Sequence, residues 1–424
     1  MKVFKFGGAS IKDANSIKNV ANIIKNNLAD NPLIIISAAG KTTNALEKVV
    51  NEYFNNSGNA YAALEYVKTE HNKIVEELFE TKNDELQAEI NDMFVDVEWI
   101  LEESPSENYD QTYDQIVCLG ELLSTKIVSA YLNKIGIKNT WLDVRDCILT
   151  DNNYRDANLD WEETERRIQK IVPSLAKNGL VITQGFLGNT TENFTTTLGR
   201  EGSDYTAAIF SYCLNTNSMT IWKDVPGVLN ADPRIFPNAT LLKEISYSEA
   251  IEMTYYGAQV IHPKTLQPLK SKKIPLYVKS FLNPEQDGTL VSEKEPGSYP
   301  PVFVVKENQA LLNFYSKSFY FVDELKFSKL FDAFAKHRIK VNMTQNTALS
   351  FSVCVNNEER KIKTLCDELD SEYNIEIISE LKLLTIRYGN EAITDNFTKG
   401  RKIYLEEHIR SNVQIIMDSK ESLN

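Results

Sequence analysis

The run KFGGAS, Lys5 to Ser10, sets a lysine near the end of an alternating polar and apolar segment and a glycine pair directly behind it. An ammonium and unobstructed backbone N–H groups then converge on one spot, and both attract phosphate oxygens. Alone, the run also fits an ordinary β-turn beside a solvated lysine. A second segment, TTTLGREGSDYTAA from Thr195 to Ala208, gathers hydroxyls, glycines, Arg200, Ser203 and Asp204 just ahead of an apolar helical pattern. There the free amides of a helix start meet a carboxylate suited to ordering charged groups, although a capped helix without a ligand satisfies the same pattern. A third, IWKDVPGVLNADPR from Ile221 to Arg234, carries Lys223-Asp224 after a strand and ends in Asp232-Pro233-Arg234. Its Pro-Gly and Asp-Pro pairs are also plain turn signals. His262, one of four widely separated histidines, precedes Pro263 and reads as a packed or hydrogen-bonded side chain rather than a general base.

Two nearby patterns imitate other sites. Gly40-Lys41-Thr42 resembles the end of a P-loop, but Ile35 stands where that loop needs its first glycine. Gly7-Gly8 lacks the third glycine and the distal acidic residue of a dinucleotide fingerprint, so NAD binding is not expected.

These residues need a scaffold. Lys2 to Phe6 alternates as a strand, and Ile17, Val20, Ala21, Ile24 and Leu28 recur at helical spacing behind a capping Asp13. Leu33 to Ile36 is a buried-strand run ending in small polar residues, and further strands read at Asn139–Asp143, Leu180–Thr183, Thr220–Trp222 and Pro275–Phe281. Charged helices over Ala60 to Glu103 form an excursion with a solvated face, and Ile116 to Ile135 reads as one helix carrying Gly120-Glu121. Alternating β and α elements predict a parallel α/β sheet with ligands at the carboxyl ends of its strands. The stretch Glu293 to Pro301 (EKEPGSYPP) reads as a linker, giving domains over 1–292 and 301–424. Beyond it, Leu311–Tyr315, a helical Lys326–His337, Ile339–Met343, Leu349–Val355, a helix over Glu359–Leu369, and strands at Ile375–Ile378 and Leu383–Tyr388 predict a ferredoxin-like pair.

Composition narrows the partners. The chain has 424 residues, enough for more than one full-sized core. Its net charge of −13, from 46 Lys and Arg against 59 Asp and Glu, speaks against a nucleic-acid backbone or an anionic membrane as partner. Five scattered cysteines with no CxxC argue against a disulfide framework and a structural zinc site, so a reducing cytoplasm is expected. No signal-peptide core and no run of about 18 apolar residues is visible, so a soluble, unprocessed chain is expected.

The motifs, in this order, resemble those of the aspartokinase branch of the amino acid kinase family. KFGGAS matches the family's lysine-glycine motif, SAAGKTTN (Ser37 to Asn44) its serine-glycine-threonine segment, Gly120-Glu121 its glycine-glutamate, and TLGREGSDY (Thr197 to Tyr205) its signature. WKDVPGVLNADPR and YYGAQVIHPKTLQPL (Tyr255 to Leu269) resemble the segments that follow, and the residues past the linker resemble tandem ACT regulatory domains. The resemblance implies transfer of the ATP γ-phosphoryl group to the β-carboxylate of L-aspartate, giving 4-phospho-L-aspartate, the step that opens lysine, threonine and methionine synthesis. It implies catalytic roles for Lys5 and Asp204, aspartate contacts from Thr43, Glu121, Arg200 and Ser203, and nucleotide contacts from Gly7, Gly8, Ser10, Lys223, Asp224, Arg234 and Lys264. Mg²⁺ would bridge phosphate oxygens mainly through water and substrate, with no dedicated protein ligands. Glu201 replaces a usual glycine, Leu229 a usual tyrosine, and Gln259 a lysine found in some members. Glu201 forbids easy positive φ and is expected to point outward.

In the regulatory half, Asn342 stands for a common acidic residue and Ala348 for a glutamate of lysine-sensing members. An effector lysine would lose its charge partners there, which predicts altered or absent lysine inhibition. An amino acid effector at the ACT domains and a homodimer formed by strand addition are further expectations. The sequence carries no dehydrogenase half, so a bifunctional enzyme is not expected. Two other readings stay open: a kinase of another small acid, of the glutamate or N-acetylglutamate type, and a non-catalytic amino acid sensor that keeps the fold.

Overall fold

The computed structural model describes residues 1–80, 83–258, 261–317 and 324–423. They form two compact units, the first comprising residues 1–228, 241–251 and 260–295, the second 229–240, 252–259 and 296–424.

The first unit opens with β1 (Val3–Phe6), α1 (Ala14–Asn26), β2 (Leu33–Ile36), α2 (Thr42–Phe54), α3 (Ala60–Leu78), α4 (Asp84–Glu102), α5 (Tyr109–Val117) and α6 (Leu119–Lys134). It continues with β3 (Asn139–Leu142), α7 (Trp161–Leu175), β4 (Leu180–Gln184), β5 (Leu187–Asn189), β6 (Thr195–Thr197), α8 (Gly202–Cys213) and β7 (Met219–Lys223). β8 (Glu244–Ser246), α9 (Tyr247–Tyr256, of which residues 252–256 fall in the second unit), α10 (Pro263–Ser271), β9 (Leu276–Ser280) and β10 (Thr289–Ser292) follow. Among the described residues eight strands form one sheet in the order β3-β4-β2-β1-β7-β9-β10-β8. All neighbours run parallel except β9 and β10. β1 lies centrally, with Lys5 in register with Ile35 and Ile221, and β1 and β2 are buried along their whole length. Strands covered on both faces need continuous apolar runs, which is why β2 reads LIII.

Asp13 caps α1, its carboxylate accepting the Ser16 N–H at 2.7 Å as the sequence suggests. Apolar residues of α1 to α6 pack with Phe4, Phe6, Ile34 and Ile36 in one core. The single helix expected over Ile116–Ile135 is two, α5 and α6, which meet at Cys118 and begin earlier, at Tyr109. By length and composition Tyr109–Lys134 is apolar enough to cross a membrane, but 78% of its most apolar window is buried inside the unit. A helix apolar all round is what an interior position demands.

In the second unit are β11 (Val302–Ser316), α11 (Glu324–Lys336), β12 (Val341–Asn346), β13 (Ser350–Asn356), α12 (Glu359–Leu369), β14 (Tyr373–Arg387), α13 (Glu391–Thr398), β15 (Ile403–Ile409) and β16 (Asn412–Asp418). They build one antiparallel sheet in the order β12-β13-β11-β14-β16-β15. The ferredoxin-like pair is therefore present as two halves sharing a sheet, and the separate strands expected at Ile375–Ile378 and Leu383–Tyr388 are one, β14. β14 pairs with β11 nearly end to end, through a bulge near Lys306 to Leu311. Asn308 and Glu380 take left-handed φ of 52° and 57°, so the polar interruptions are bends within long strands rather than ends.

Candidate active site

Lys5 leaves β1 toward the face covered by α8, the face opposite Phe4 and Phe6. Its Nζ lies 2.7 Å from Oδ1 of Asp204, in the first turn of α8, and Lys223 Nζ stands 4.0 Å from Oδ2. Asp204 is buried, which on its own would raise its carboxyl; the Lys5 charge, seconded by Lys223, overrides burial and holds it below the usual carboxylate range. Gly7 and Gly8 follow β1 at its carboxyl end. A Cβ on Gly8 would come within 2.7 Å of the Ala38 carbonyl oxygen and 2.9 Å of that of Gly40, so only glycine lets the β1 and β2 turns approach. A Cβ on Gly7 would sit 3.4 Å from Lys5 Nζ, which puts the ammonium directly over the glycine turn.

A cavity of about 390 Å³ opens here, lined by Lys5, Gly7, Gly8, Ser10, Thr43, Glu121, Ser203, Asp204, Lys223 and Asp224 among others. The contributing segments follow the carboxyl ends of β1, β2, β4, β7 and β9, where a parallel sheet presents ligands with loop amides. α8 has no side-chain cap at its N-terminus; its Gly202 and Asp204 N–H groups donate to the Gly199 and Glu201 carbonyls, each at 3.0 Å. Thr43 belongs to the first turn of α2, which likewise lacks a side-chain cap. Glu121, in the first turn of α6, is buried and accepts the Ala38 N–H on Oε1 at 3.1 Å, while its Oε2 has no partner. Burial pushes this carboxyl up to about 8 against the pull of the Ala38 amide and of Lys5. A buried carboxyl oxygen left without a partner carries an uncompensated desolvation cost.

A model of the amino acid kinase family matches residues 1–280. The chain belongs to the amino acid kinase family. It is 30% identical over 400 residues to lysine-sensitive aspartokinase 3 of Escherichia coli, covering 92% of this chain and 87% of that one. Identity to the bifunctional aspartokinase/homoserine dehydrogenase 1 of Arabidopsis thaliana is 31%, over 88% of this chain and 42% of the relative, so the chain spans less than half of that protein's length. Among solved structures, E. coli aspartokinase III in complex with aspartate and ADP superposes with a TM-score of 0.83 at 27% identity, over 99% of this chain and 96% of that one. The same enzyme with lysine and aspartate gives 0.82 at 27% identity, over 100% and 97% of the two chains.

Not every residue singled out from the family's motifs lines the cavity. Arg200 is exposed and lies between the lining residues Gly199 and Glu201. Ser10 lines the cavity, but its hydroxyl donates to the Gly7 carbonyl at 2.6 Å and staples the turn. Lys264 pairs with Asp156 at 2.5 Å and does not line the cavity. Arg234 belongs to the second unit, where its guanidinium forks Asp232. Gln259 lies outside the described residues, and Leu229 belongs to the second unit. Glu201 corrects the expectation drawn from its type. It does adopt positive φ, 54°, as the N-cap of α8, and its carboxylate accepts the His262 N–H at 2.8 Å, which anchors the strained turn. His262 caps α10, its Nδ1 accepting the Lys264 N–H at 3.2 Å, in keeping with a structural role. Sequence reasoning passed over Asp114, a buried carboxylate of α5 whose three donors are described below; a lone aspartate in a helix gives no spacing signal.

Proposed function

We propose that this chain is an aspartate kinase, transferring the γ-phosphoryl group of ATP to the β-carboxylate of L-aspartate to give 4-phospho-L-aspartate. The observation that carries the reading is the Lys5–Asp204 pair held over the Gly7-Gly8 turn in a cavity that also contains the uncompensated Glu121. A carboxylate acceptor, with an ordinary pKa near 4, is already an anion at pH 7 and needs no general base. The barrier is the approach of one anion to another and the spreading charge on the transferred oxygens. Lys5 supplies the cation for that charge, the Gly7 and Gly8 amides stand beside it, and Asp204 aims the ammonium. Glu121 receives the substrate α-ammonium, whose arrival makes its ionised form favourable, with Thr43 and Ser203 beside it. Arg200, at the mouth, swings in to clamp the α-carboxylate with two parallel N–H bonds. Lys223 and Asp224 bear on the nucleotide.

Mg²⁺ would be held chiefly by the nucleotide's phosphate oxygens and water, since Asp204 is engaged by Lys5 and Glu121 by Ala38; bound there it neutralises charge on the phosphates. Five free thiols favour a reducing compartment, the cytoplasm, as its place of action. β12 and β15 are the edge strands of the second unit's sheet, and strand addition at such an edge would give a homodimer.

The test is incubation with Mg-ATP and individual acids, with acyl phosphate trapped by hydroxylamine. Product with aspartate alone bears out the reading. Product with glutamate or N-acetylglutamate alone would reassign the substrate, and none with any acid would leave a sensor.

A further inference from the structure

Among the described residues the signature strand β6 pairs with β5 on one edge and with no strand on the other. Its other edge presents the backbone groups of Thr195 and Thr197, three of which meet side chains and the fourth a loop N–H instead of a strand. Gln115 Nε2 donates to the Thr195 carbonyl at 2.7 Å, and Gln115 Oε1 accepts the Thr195 N–H at 3.2 Å. Asp114 Oδ2 accepts the Thr197 N–H at 2.9 Å, and Oδ1 accepts the Thr197 hydroxyl at 2.7 Å. The Thr197 carbonyl takes the Ala157 N–H at 3.0 Å. Two consecutive residues of α5 thus act as the missing neighbour of a β-edge, and all four outward backbone groups are satisfied.

Asp114 Oδ2 also accepts the N–H of Arg155, which has a left-handed φ of 68°. That turn carries Asp156, whose Oδ1 would lie 2.5 Å from a Cβ placed on Gly199, itself at φ 76°. One carboxylate therefore ties down both the strand that enters the Gly199–Asp204 turn and the loop that lies over it. α5 runs through Cys118 into α6, so the same stretch of helix carries Glu121.

The geometry points to Asp114, helped by Gln115, as a positioning residue that fixes the gap between Glu121 and the Ser203–Asp204 turn. This rests on the reading of the cavity as an acid-phosphorylating site. The role is geometric and does not need the charge: burial pushes the Asp114 carboxyl up to about 6, and an amide oxygen in place of Oδ2 could accept both N–H groups while its NH₂ turns to the Thr197 hydroxyl. Widening the gap weakens the grip on the small acid more than that on the nucleotide.

The experiment compares Asp114→Ala, Asp114→Asn and Gln115→Ala with the parent in steady-state kinetics and in hydrogen exchange of residues 195–204. Asp114→Ala should raise KM for the acid at least about tenfold while KM for ATP stays within about twofold, and Asp114→Asn should restore KM to within about threefold of the parent. Exchange over 195–204 should quicken in Asp114→Ala alone of the two Asp114 variants. Should Asp114→Ala fail to fold, Gln115→Ala decides, with the same split at about threefold. Unchanged exchange, parallel shifts of both KM values, or loss of kcat in proportion to folded protein would overturn the assignment. Parent turnover with aspartate tests the reading of function; the variant ratios are taken with whichever acid the parent phosphorylates, and exchange needs no substrate.

Discussion

At the scale of single residues, the account depends on two carboxylates driven in opposite directions. Asp204 is held low by Lys5, so the stability contributed by the pair is complete at neutral pH and is lost only as pH falls below about 4. Lys5→Ala removes the transferring cation, and turnover should fall at least about a hundredfold; a loss under about threefold in kcat would remove Lys5 from the mechanism. The same change leaves Asp204 buried with only Lys223 at 4.0 Å, so a cost of about 3 kcal/mol in a denaturant titration should accompany it. Glu121 is pushed up to about 8, so the folded chain holds a proton that the unfolded chain releases near pH 4, and its contribution to stability declines as pH rises from about 4 to 8. Because the α-ammonium needs the ionised form, KM for aspartate should climb as pH drops below about 8, by up to about tenfold per unit. Glu121→Gln should raise KM at pH 8 by about a hundredfold, flatten that pH dependence and leave thermal stability equal or higher; a KM profile unchanged by the substitution would contradict the role. Lys5 and Asp204 stood out in short runs whose residue types suggest chemistry, Glu121 was reached through the resemblance of Gly120-Glu121 to a family motif, and the structure brings all three to one cavity. Asp114 was not legible, since its partners, two backbone N–H groups and the Thr197 hydroxyl, lie dozens of residues away.

At the scale of elements, function depends on how closely the turns after β1 and β2 approach. Gly8→Ala would set a methyl 2.7 Å from one carbonyl oxygen and 2.9 Å from another, both backbone, so the turns must part. Activity should fall at least about tenfold while far-UV circular dichroism is kept; full activity would show that the turn has slack. Alternation and apolar runs marked β1, β2, β4, β7 and β9 well because each strand is short and ends at a sharp change of composition. β14 was read as two strands, since its middle residues, Ser379 and Glu380, are polar and exposed, and a bend at positive φ cannot be told from a strand end by periodicity. The α5–α6 joint escaped for the opposite reason: Cys118 keeps helical dihedrals, and the interruption leaves no polar or glycine mark.

At the scale of the whole molecule, the change of pattern past the Pro- and Gly-bearing linker marked a second sheet, but not that residues 229–240 and 252–259 belong with it, since short segments that leave one unit for another carry no composition signal. Which amino acid effector the second unit would take is less legible, because such recognition turns on few side chains. Asn342, where a charge partner for an amino acid effector was expected, is buried and engaged with Gln309 Oε1 at 2.7 Å, with Asn356 Oδ1 at 3.0 Å and, through its own oxygen, with the Lys306 ammonium at 2.9 Å. An ammonium of the chain already occupies that carboxamide. Titrating lysine, threonine and methionine into the kinase assay should therefore show lysine inhibition weaker than about tenfold at saturation, and stronger inhibition would overturn the expectation. The most direct test of the central claim is a crystal structure with aspartate and a non-hydrolysable ATP analogue. The account predicts Lys5 Nζ within about 3.2 Å of a terminal phosphate oxygen and Glu121 at the substrate ammonium. Lys5 beyond about 6 Å of that phosphate, with Asp204 still its partner, would contradict it.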